Sequence, residues 1–258
     1  MFAATQNIGF MAYTVPGSGD GCADPLTDSE WGNVELLCWC NGANGGTTFT
    51  DETGNYATLG NPSSYVTTQT GTKKFGTAAA YFPGEVSQAL VAGVVGDFNF
   101  LHDGTTSFTT EMWLKTANDR TALFATCNGA TNERGVFFHV KDGGGLGLHI
   151  YSDSATATVA LDTVVNLWDL EFHHIVFQYD IGEANPYQIF VDGVLLASSA
   201  ATGAYTALNH HYAMHMGRAP TGVGYSKACY MDDIRITNGV ARYPATGFTP
   251  PCRQFPNT

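Results

Sequence analysis

The chain has 258 residues, of which 13% are charged and 12% are aromatic, and its formal net charge is −12. The aromatic content excludes a disordered chain, the acidic balance excludes a binder of nucleic-acid phosphates, and the composition lacks the bias of a coiled coil. This length suits one large domain, and the 30 glycines indicate many turns. We therefore expect a globular protein with a single core and no nucleic-acid partner.

Residues 1–30 are rich in glycine and proline and show little alternation of apolar and polar residues. We interpret them as an extended N-terminal arm outside the core. Ile8, Phe10, Met11 and Tyr13 form an apolar patch there without a core pattern, which predicts assembly contacts with a partner protein. The N-terminus lacks a signal-peptide pattern, and no run approaches the ~18 apolar residues of a membrane helix, so we expect neither export nor membrane insertion.

Short runs that alternate apolar and polar residues dominate the remainder of the chain, as in half-buried β-strands. In chain order they cover residues 107–115, 135–141, 147–151, 173–180, 187–191, 194–197 and 230–237. Asp192-Gly193 between two of these runs predicts a tight hairpin turn, because Gly tolerates positive φ. We predict an all-β chain folded as a two-sheet antiparallel β-sandwich or jelly roll, with a domain over 31–251 and a tail over 252–258.

The six cysteines are scattered and contain no C-x-x-C pair, so a zinc ribbon or redox motif is not indicated. Without an export signal, we expect buried, reduced thiols. Cys22 and Cys252 are the exception to consider, since they lie in the two terminal segments and would meet if these ran side by side.

Five segments match the motifs of a known family in the family's own order. They are VELLCWCNGANGGTTFTDETGN at 34–55, KFGTAAAYFPG at 74–84, the F-T-x-E-x-W run within 107–115, the histidine and Asp-Gly motifs within 172–192, and MDDIRITNGVARYPATGFTPP at 231–251. The chain resembles the LamG-like, concanavalin A-like jelly-roll domains found in many bacteriophage virion proteins. The last segment is the most specific match because its agreement is so long. The resemblance implies two antiparallel sheets packed face to face.

The resemblance also implies a candidate calcium site. Related jelly rolls often hold one structural Ca²⁺ near the last strand, and the matching positions here are Asp232 or Asp233, with Asp51 from an early turn. Carboxylate oxygens are the hard ligands that Ca²⁺ prefers. Asn41 and Pro83 stand where the family has the aspartates of two Asp-Gly pairs, which weakens the match. The alternative is that these acids cap turns.

No catalytic arrangement is evident in the sequence. Glycoside hydrolases of related fold carry two carboxylates on one strand in the spacing E-x-D-x-x-E, whereas Glu111 has no acid at 113, the second acidic position of that spacing. Asp232 and Asp233 are adjacent, so on a regular strand they point to opposite faces. His211 and His215 would share a face on a helix, but on a strand they lie about 13 Å apart, too far for one zinc ion. We predict a protein without enzyme activity.

Aromatic side chains raise the alternative of carbohydrate binding, because sugars stack on exposed rings. Trp31, Trp39, Trp113 and Trp168 are candidates, as are the tyrosines. The alternating patterns around most of these residues favour burial in the core. Which ring would contact a glycan therefore stays open.

These features favour a non-catalytic bacteriophage virion protein, an adhesion or decoration module on a tail appendage or the capsid. We expect several copies in the particle or a homo-oligomer, contacts with other virion proteins through the arm, and a host-surface glycan as a candidate ligand. The net charge disfavours capture of anionic polymers, so we expect a neutral glycan or a protein as the receptor, or binding that is mediated by ions. The alternatives are a lectin or hydrolase-like protein outside any virion and a ligand-free cement protein.

Overall fold

The computed structural model describes residue 22 and residues 24–85, 87–128, 133–152, 157–200, 208–221 and 225–258. Within this part of the chain there are two short 3-10 turns, Trp31–Asn33 and Asn99–Leu101. The strands are β1 (Val34–Cys38), β2 (Thr67–Gln69), β3 (Ala79–Phe82), β4 (Leu90–Ala92), β5 (Phe108–Thr116), β6 (Thr121–Ala125), β7 (Arg134–Val140), β8 (Leu146–Ser152), β9 (Val159–Asp162), β10 (His173–Tyr179), β11 (Tyr187–Val191), β12 (Val194–Ser199), β13 (Met214–Met216) and β14 (Cys229–Asn238). Among the described residues, no helix is both long and apolar enough to span a membrane.

The strands form two antiparallel sheets. In the large sheet the order is β12-β11-β10-β5-β14-β3-β2, and β1 pairs with the second half of β14. In the small sheet the order is β4-β13-β6-β7-β8-β9. Every run predicted from the alternating pattern is a strand, with ends that shift by no more than two residues. The predicted all-β, two-sheet sandwich is confirmed.

A tight turn joins β11 to β12 where Asp192-Gly193 predicts one. The φ angles are +50° at Asp192 and +77° at Gly193, the pattern of a type I′ turn. The Gly193 carbonyl accepts a hydrogen bond from the Phe248 N–H (2.9 Å), and a Cβ on Gly193 would collide with the Phe248 carbonyl. Glycine is therefore required twice, for the turn and for the close approach of a distant segment.

The core lies between the sheets. Along β5, Phe108, Met112 and Leu114 point into it, as the alternation predicts. The Phe138 ring of the small sheet meets the Phe177 ring of the large sheet at 5.7 Å. Burying a side chain of this size contributes about 1.5–3 kcal/mol to stability, so this contact layer holds the sheets together.

The outer face of the large sheet is also buried over much of its width, which the alternating pattern does not predict. Residues 239–258, here called the C-terminal segment, lie across it. Tyr243 stacks on Phe248 with ring centroids 3.7 Å apart, and Phe248 packs against the rings of His174 (5.7 Å) and Phe190 (5.5 Å). As a result, all but one residue of β5 is buried.

A disulfide between Cys22 and Cys252 joins the two terminal segments, with the Cα atoms 5.6 Å apart and 230 positions between them in sequence. The Cys252 N–H also donates to Asp24 (2.6 Å), and the Asp28 N–H donates to the Thr258 carbonyl (2.7 Å). This is the pair for which the sequence leaves a disulfide open, and the terminal segments do run side by side. The other four cysteines are buried and form no disulfide, as expected.

The predicted arm over residues 1–30 is described at residue 22 and from residue 24 onward. Ile8, Phe10, Met11 and Tyr13, which we predict to mediate assembly, lie outside the described residues. Their role stays a prediction.

Candidate functional site

Asp51, one of the predicted calcium ligands, holds a tight turn. Its Oδ1 accepts hydrogen bonds from the N–H groups of Leu37 and Thr53, both at 3.1 Å. Its Oδ2 accepts from the Thr53 hydroxyl (2.6 Å) and from the Tyr56 N–H (3.1 Å). These donors satisfy both oxygens, so the carboxylate caps a turn.

Asp232 and Asp233, the other predicted ligands, lie in a β-bulge of β14. Asp232 pairs with Trp113 and Arg235 pairs with Glu111, so β14 carries an extra residue between these two pairs. Asp233 takes up the bulge with φ +50°. The alternation of the strand is broken at this point.

Both carboxylates bind backbone groups of segments that cover the outer face of the large sheet. Asp232 accepts from the N–H groups of Lys74 (2.7 Å) and Phe75 (3.1 Å), and Asp233 accepts from the Phe255 N–H (2.8 Å). The prediction that the two point to opposite faces is therefore wrong, because of the bulge. Burial raises the pKa of Asp232 to about 7 and raises that of Asp233 well above its usual range.

The structure does not bring Asp51 together with Asp232 and Asp233. In the described part of the chain, the group of three or more His, Cys, Asp or Glu side chains close enough to share an ion is Cys22, Asp24 and Cys252, and its cysteines form the disulfide. Calcium binding by the predicted carboxylates stays a prediction.

A buried ion network links the large sheet to both terminal segments. At its centre, Glu111 accepts through Oε1 from the Arg235 Nε (2.9 Å) and through Oε2 from the Tyr243 hydroxyl (2.5 Å). The His174 Nε2 lies 3.0 Å from the same Oε2. Arg235 reaches on to Asp28 of the N-terminal segment at 2.9 Å. The network therefore joins β5, β10 and β14 to both ends of the described chain.

Arg242 completes the network with a bidentate pair to Asp28, at 3.0 and 2.9 Å. Burial tends to raise the pKa of Asp28, but the hydrogen bond and charge of Arg242 outweigh it and the pKa is lowered. Burial likewise tends to raise the pKa of Glu111, but the charge of Arg235, the hydrogen bond of His174 and the charge of Arg242 together outweigh it and the pKa is lowered. Both carboxylates are therefore held in the charged form.

A cleft of about 480 Å³ lies beside this network. The charged side chains of the network that line it, Asp28, Arg235 and Arg242, are bound to one another. Glu111 is fully buried and bound on both oxygens, so it cannot act as the acid of a two-carboxylate glycosidase. The cleft therefore marks the junction of the termini and offers no exposed acid pair built on Glu111.

The outer face of the small sheet carries a cluster of rings: Phe137 and His139 of β7, His149 and Tyr151 of β8, and Tyr225. We call it the aromatic–histidine face. The β7–β8 register sets Phe137 directly opposite His149. Ring centroids lie 4.4 Å apart for Phe137 and His139, 5.4 Å for His139 and His149, and 6.2 Å for His149 and Tyr151. Tyr225 packs edge-on against Phe137 (4.9 Å) and His139 (5.0 Å).

The rings of this face differ in exposure. Phe137 and His139 are each 3% exposed, whereas His149, Tyr151 and Tyr225 are half-buried and reach the surface. Burial lowers the pKa of His139 to about 3 and also lowers that of His149. Both imidazoles are therefore neutral at pH 7, and each offers one donor and one acceptor.

Small side chains surround His149 on its own sheet. Gly147 precedes it by two residues on β8, and the exposed Ala160 lies opposite it on β9. Lys141 and Asp162, which pair at 2.5 Å, lie at the edge of the same face. The imidazole is therefore reachable from solvent between a ring-lined side and a charged rim.

A sequence signal for this face lies outside the five segments that carry the family resemblance. Rings occupy alternate positions in two neighbouring runs, as F-x-H at 137–139 and H-x-Y at 149–151. Alternate residues share a face of a sheet, and consecutive antiparallel runs pair, so these rings are expected to meet.

The four candidate tryptophans have different environments. Trp113 is buried beneath the Lys74 ammonium, which lies 3.8 Å from the ring centroid. Trp39 donates through Nε1 to the Phe255 carbonyl (2.8 Å), and Trp31 packs in the same small cluster. Trp168 is 38% exposed, which makes it the most exposed of the four, while Trp31 and Trp39 are half-buried.

Comparison with known proteins agrees with the two-sheet architecture. The family Laminin_G_3, described as the concanavalin A-like lectin/glucanases superfamily, matches residues 92–242, more than half of the chain. The chain belongs to this superfamily. The superfamily match starts at the end of β4 and ends in the C-terminal segment, so it includes the aromatic–histidine face. No curated protein matches the chain.

Several solved structures share the fold at low sequence identity. The binding domain of Paraclostridial Mosquitocidal Protein 1 has a TM-score of 0.59 and 12% identity over 83% of this chain and 51% of that one. Domain 4 of AbnA, a GH43 extracellular arabinanase from Geobacillus stearothermophilus solved with arabinotriose, has a TM-score of 0.51 and 14% identity over 80% and 93%. A Trypanosoma rangeli sialidase in complex with sialic acid has a TM-score of 0.54 and 12% identity over 88% and 33%.

The chain spans about half the length of the mosquitocidal binding domain and about a third of the sialidase. The neighbours of this jelly roll thus include binding domains as well as an enzyme. At these identities the likeness shows the fold, and the function has to be argued from the site.

Proposed function

We propose that this jelly roll is a non-catalytic carbohydrate-binding module whose ligand lies on the aromatic–histidine face. The observation that carries the proposal is the set of half-buried rings, His149, Tyr151 and Tyr225, packed on a buried layer of Phe137 and His139. A packed layer beneath holds the surface rings in place, so little conformational entropy is lost when a ligand binds.

The chemistry of this face suits a neutral glycan. Ring faces and edges accept the apolar sides of sugar rings, and the neutral His149 imidazole offers a donor and an acceptor to hydroxyl groups. Lys141 and Asp162 are already paired, so they add polar contacts without a net charge. The arabinanase domain was solved with arabinotriose, which supports including arabino-oligosaccharides among the probes.

Tyr151→Ala and His149→Ala are each expected to weaken glycan binding at least tenfold, about 1.4 kcal/mol, because each removes a ring or a polar group that contacts the sugar. A glycan array identifies the ligand, and titration calorimetry measures the loss. Tyr65→Ala is the matched control, since Tyr65 is an exposed tyrosine (49%) outside the aromatic–histidine face.

Thermal melting checks that all three variants stay folded. A glycan that binds the Tyr151 and His149 variants as tightly as the original protein, or an array on which the protein binds nothing, would overturn this assignment.

We also propose that the module is carried on a bacteriophage particle, as an adhesion or decoration subunit on a tail appendage or the capsid. The support is the resemblance of 231–251 to the ending of phage jelly-roll domains, together with the apolar patch of the arm. Its partners there would be other virion proteins, held through the arm, and it would be present in several copies. Mass spectrometry of purified particles tests this. Absence of the chain from particles would remove the virion role and leave the glycan-binding role to stand alone.

A further inference from the structure

The large sheet has an uncovered part at the end of β5, beyond the reach of the C-terminal segment. A cross-strand row crosses it: Tyr81 of β3 pairs with Tyr230 of β14, which pairs with Lys115 of β5. The two tyrosine rings lie 4.9 Å apart and are tilted by 34°. All three side chains are half-buried, so they form a surface row.

This row forms the floor of a groove of about 210 Å³. Leu170, which is 54% exposed, and Asn118 contribute to its walls. The Asn118 side-chain nitrogen donates to the Ala228 carbonyl (3.0 Å), which fixes the amide in one orientation. The groove therefore combines two rings with an oriented amide.

The charge of the groove differs in sign from that of the protein. Lys115 is its charged lining residue, and none of the residues that line it is acidic, although the chain has 23 acidic against 11 basic side chains. The Lys115 ammonium lies 5.8 Å from the centroid of the Phe172 ring and has no carboxylate partner among the described residues. It is therefore available to a ligand.

We propose that this groove, which we call the tyrosine–lysine groove, is a second binding site that takes a short acidic oligosaccharide. A sugar ring packs on Tyr81 and Tyr230, its carboxylate pairs with Lys115, and a hydroxyl reaches Asn118. Nucleic acid does not suit the groove, because binding a phosphate backbone requires several cations and the groove has one. Asp119 and Glu171 adjoin the lining residues Asn118 and Leu170 but do not line the groove, and charges farther away than about 8–10 Å are screened at physiological salt. Lys115 is therefore the charge that a ligand inside the groove contacts, despite the net charge of −12.

This site does not depend on the glycan-binding role of the aromatic–histidine face, since the two lie on different sheets. The experiment uses the full chain carrying Tyr151→Ala, which removes the other site from the readout. Two matched pairs of probes are titrated by calorimetry or saturation-transfer NMR: 3′-sialyllactose against lactose, and digalacturonate against galactobiose. At least one acidic probe is expected to bind about tenfold more tightly than its neutral counterpart.

Variants of Lys115 then separate the role of the charge from that of packing. Lys115→Met keeps an apolar stem on Phe172, and we expect it to lower the affinity for the acidic probe to that for the neutral counterpart. Lys115→Arg is expected to retain the preference for the acidic probe. Raising the salt concentration should weaken binding of the acidic probe and leave binding of the neutral probe unchanged. Equal affinity for both members of both pairs, or an unchanged preference in the Lys115→Met variant, overturns the proposal. Neither result bears on binding at the aromatic–histidine face.

Discussion

Replacing Arg235 with methionine is expected to lower the free energy of unfolding at neutral pH by about 3–5 kcal/mol, the usual cost of removing one partner from a buried ion pair. Arg235 is 5% exposed and lies between two buried carboxylates, at 2.8 Å from Glu111 and 2.9 Å from Asp28. Methionine keeps an apolar stem of similar length but leaves Glu111 without its closest cation. Urea denaturation followed by tryptophan fluorescence measures the loss.

The size of this loss should depend on pH. In the native protein the pKa of Glu111 is lowered, since Arg235, its main cationic partner, acts together with His174 and Arg242 to outweigh the effect of burial. The stabilisation is therefore present above the unfolded pKa of about 4.3 and is lost as the pH falls through the lower folded pKa. Without Arg235, burial pushes the pKa of Glu111 upward, so the variant loses stability as the pH rises. The difference between the two proteins is expected to be largest near neutral pH and to shrink towards about pH 4.

Arg120→Met is the matched control for the Arg235 variant. Arg120 pairs with Asp142 at 2.6 Å, but both side chains are exposed, at 51% and 60%. Water already solvates this pair, so the denaturation midpoint is expected to change little. A loss of equal size in both variants, or a loss in the Arg235 variant that stays constant towards acid pH, would contradict a stabilising role for the buried network.

The strands of this fold can be predicted from the local pattern, because apolar residues at every second position indicate a strand with one buried face. β10 and β11 are predicted almost to the residue, and the Asp192-Gly193 turn between β11 and β12 has the positive φ angles that its sequence requires. The local pattern does not show that a second segment of the chain also covers the outer face of the large sheet. Glu111 and Thr109 alternate with core residues and so read as solvent-facing, yet both are fully buried beneath the C-terminal segment.

The candidate sites depend on contacts between residues that are distant in sequence. Asp28 and Arg235 are separated by 207 positions, and no spacing rule relates them. The bulge at Asp232 and Asp233 changes the direction of their carboxylates, and the alternating sequence pattern does not predict this bulge. Tyr81 and Tyr230 become neighbours only through the register of β3 with β14. Surface recognition sites on a sandwich are set by such registers, which is why the predicted metal ligands and the sites proposed from the structure differ.

Removing the disulfide, in the double variant Cys22→Ser/Cys252→Ser, is expected to lower the free energy of unfolding by about 4 kcal/mol while leaving the sandwich folded. The bond closes a loop of 230 positions, so its loss frees a long stretch of the unfolded chain. The sandwich should survive, because Asp28 stays bound to Arg235 and Arg242 and the core between the sheets is unaffected. Denaturation in urea, read by tryptophan fluorescence, gives the difference.

The reductant dithiothreitol supplies the internal control for this prediction. The original protein in reductant is expected to fall to the stability of the double variant, whereas the variant should not change, since none of its other four cysteines forms a disulfide. A variant that also loses stability in reductant would point to a second disulfide, and an original protein that does not respond would show that non-covalent contacts are enough to hold the termini. In the second case Arg235→Met should loosen the N-terminal segment, because the Asp28 carboxylate would keep Arg242 as its one cationic partner. Proteolysis at residues 24–30 would then become faster in that variant, which separates the contribution of the covalent link from that of the buried charges.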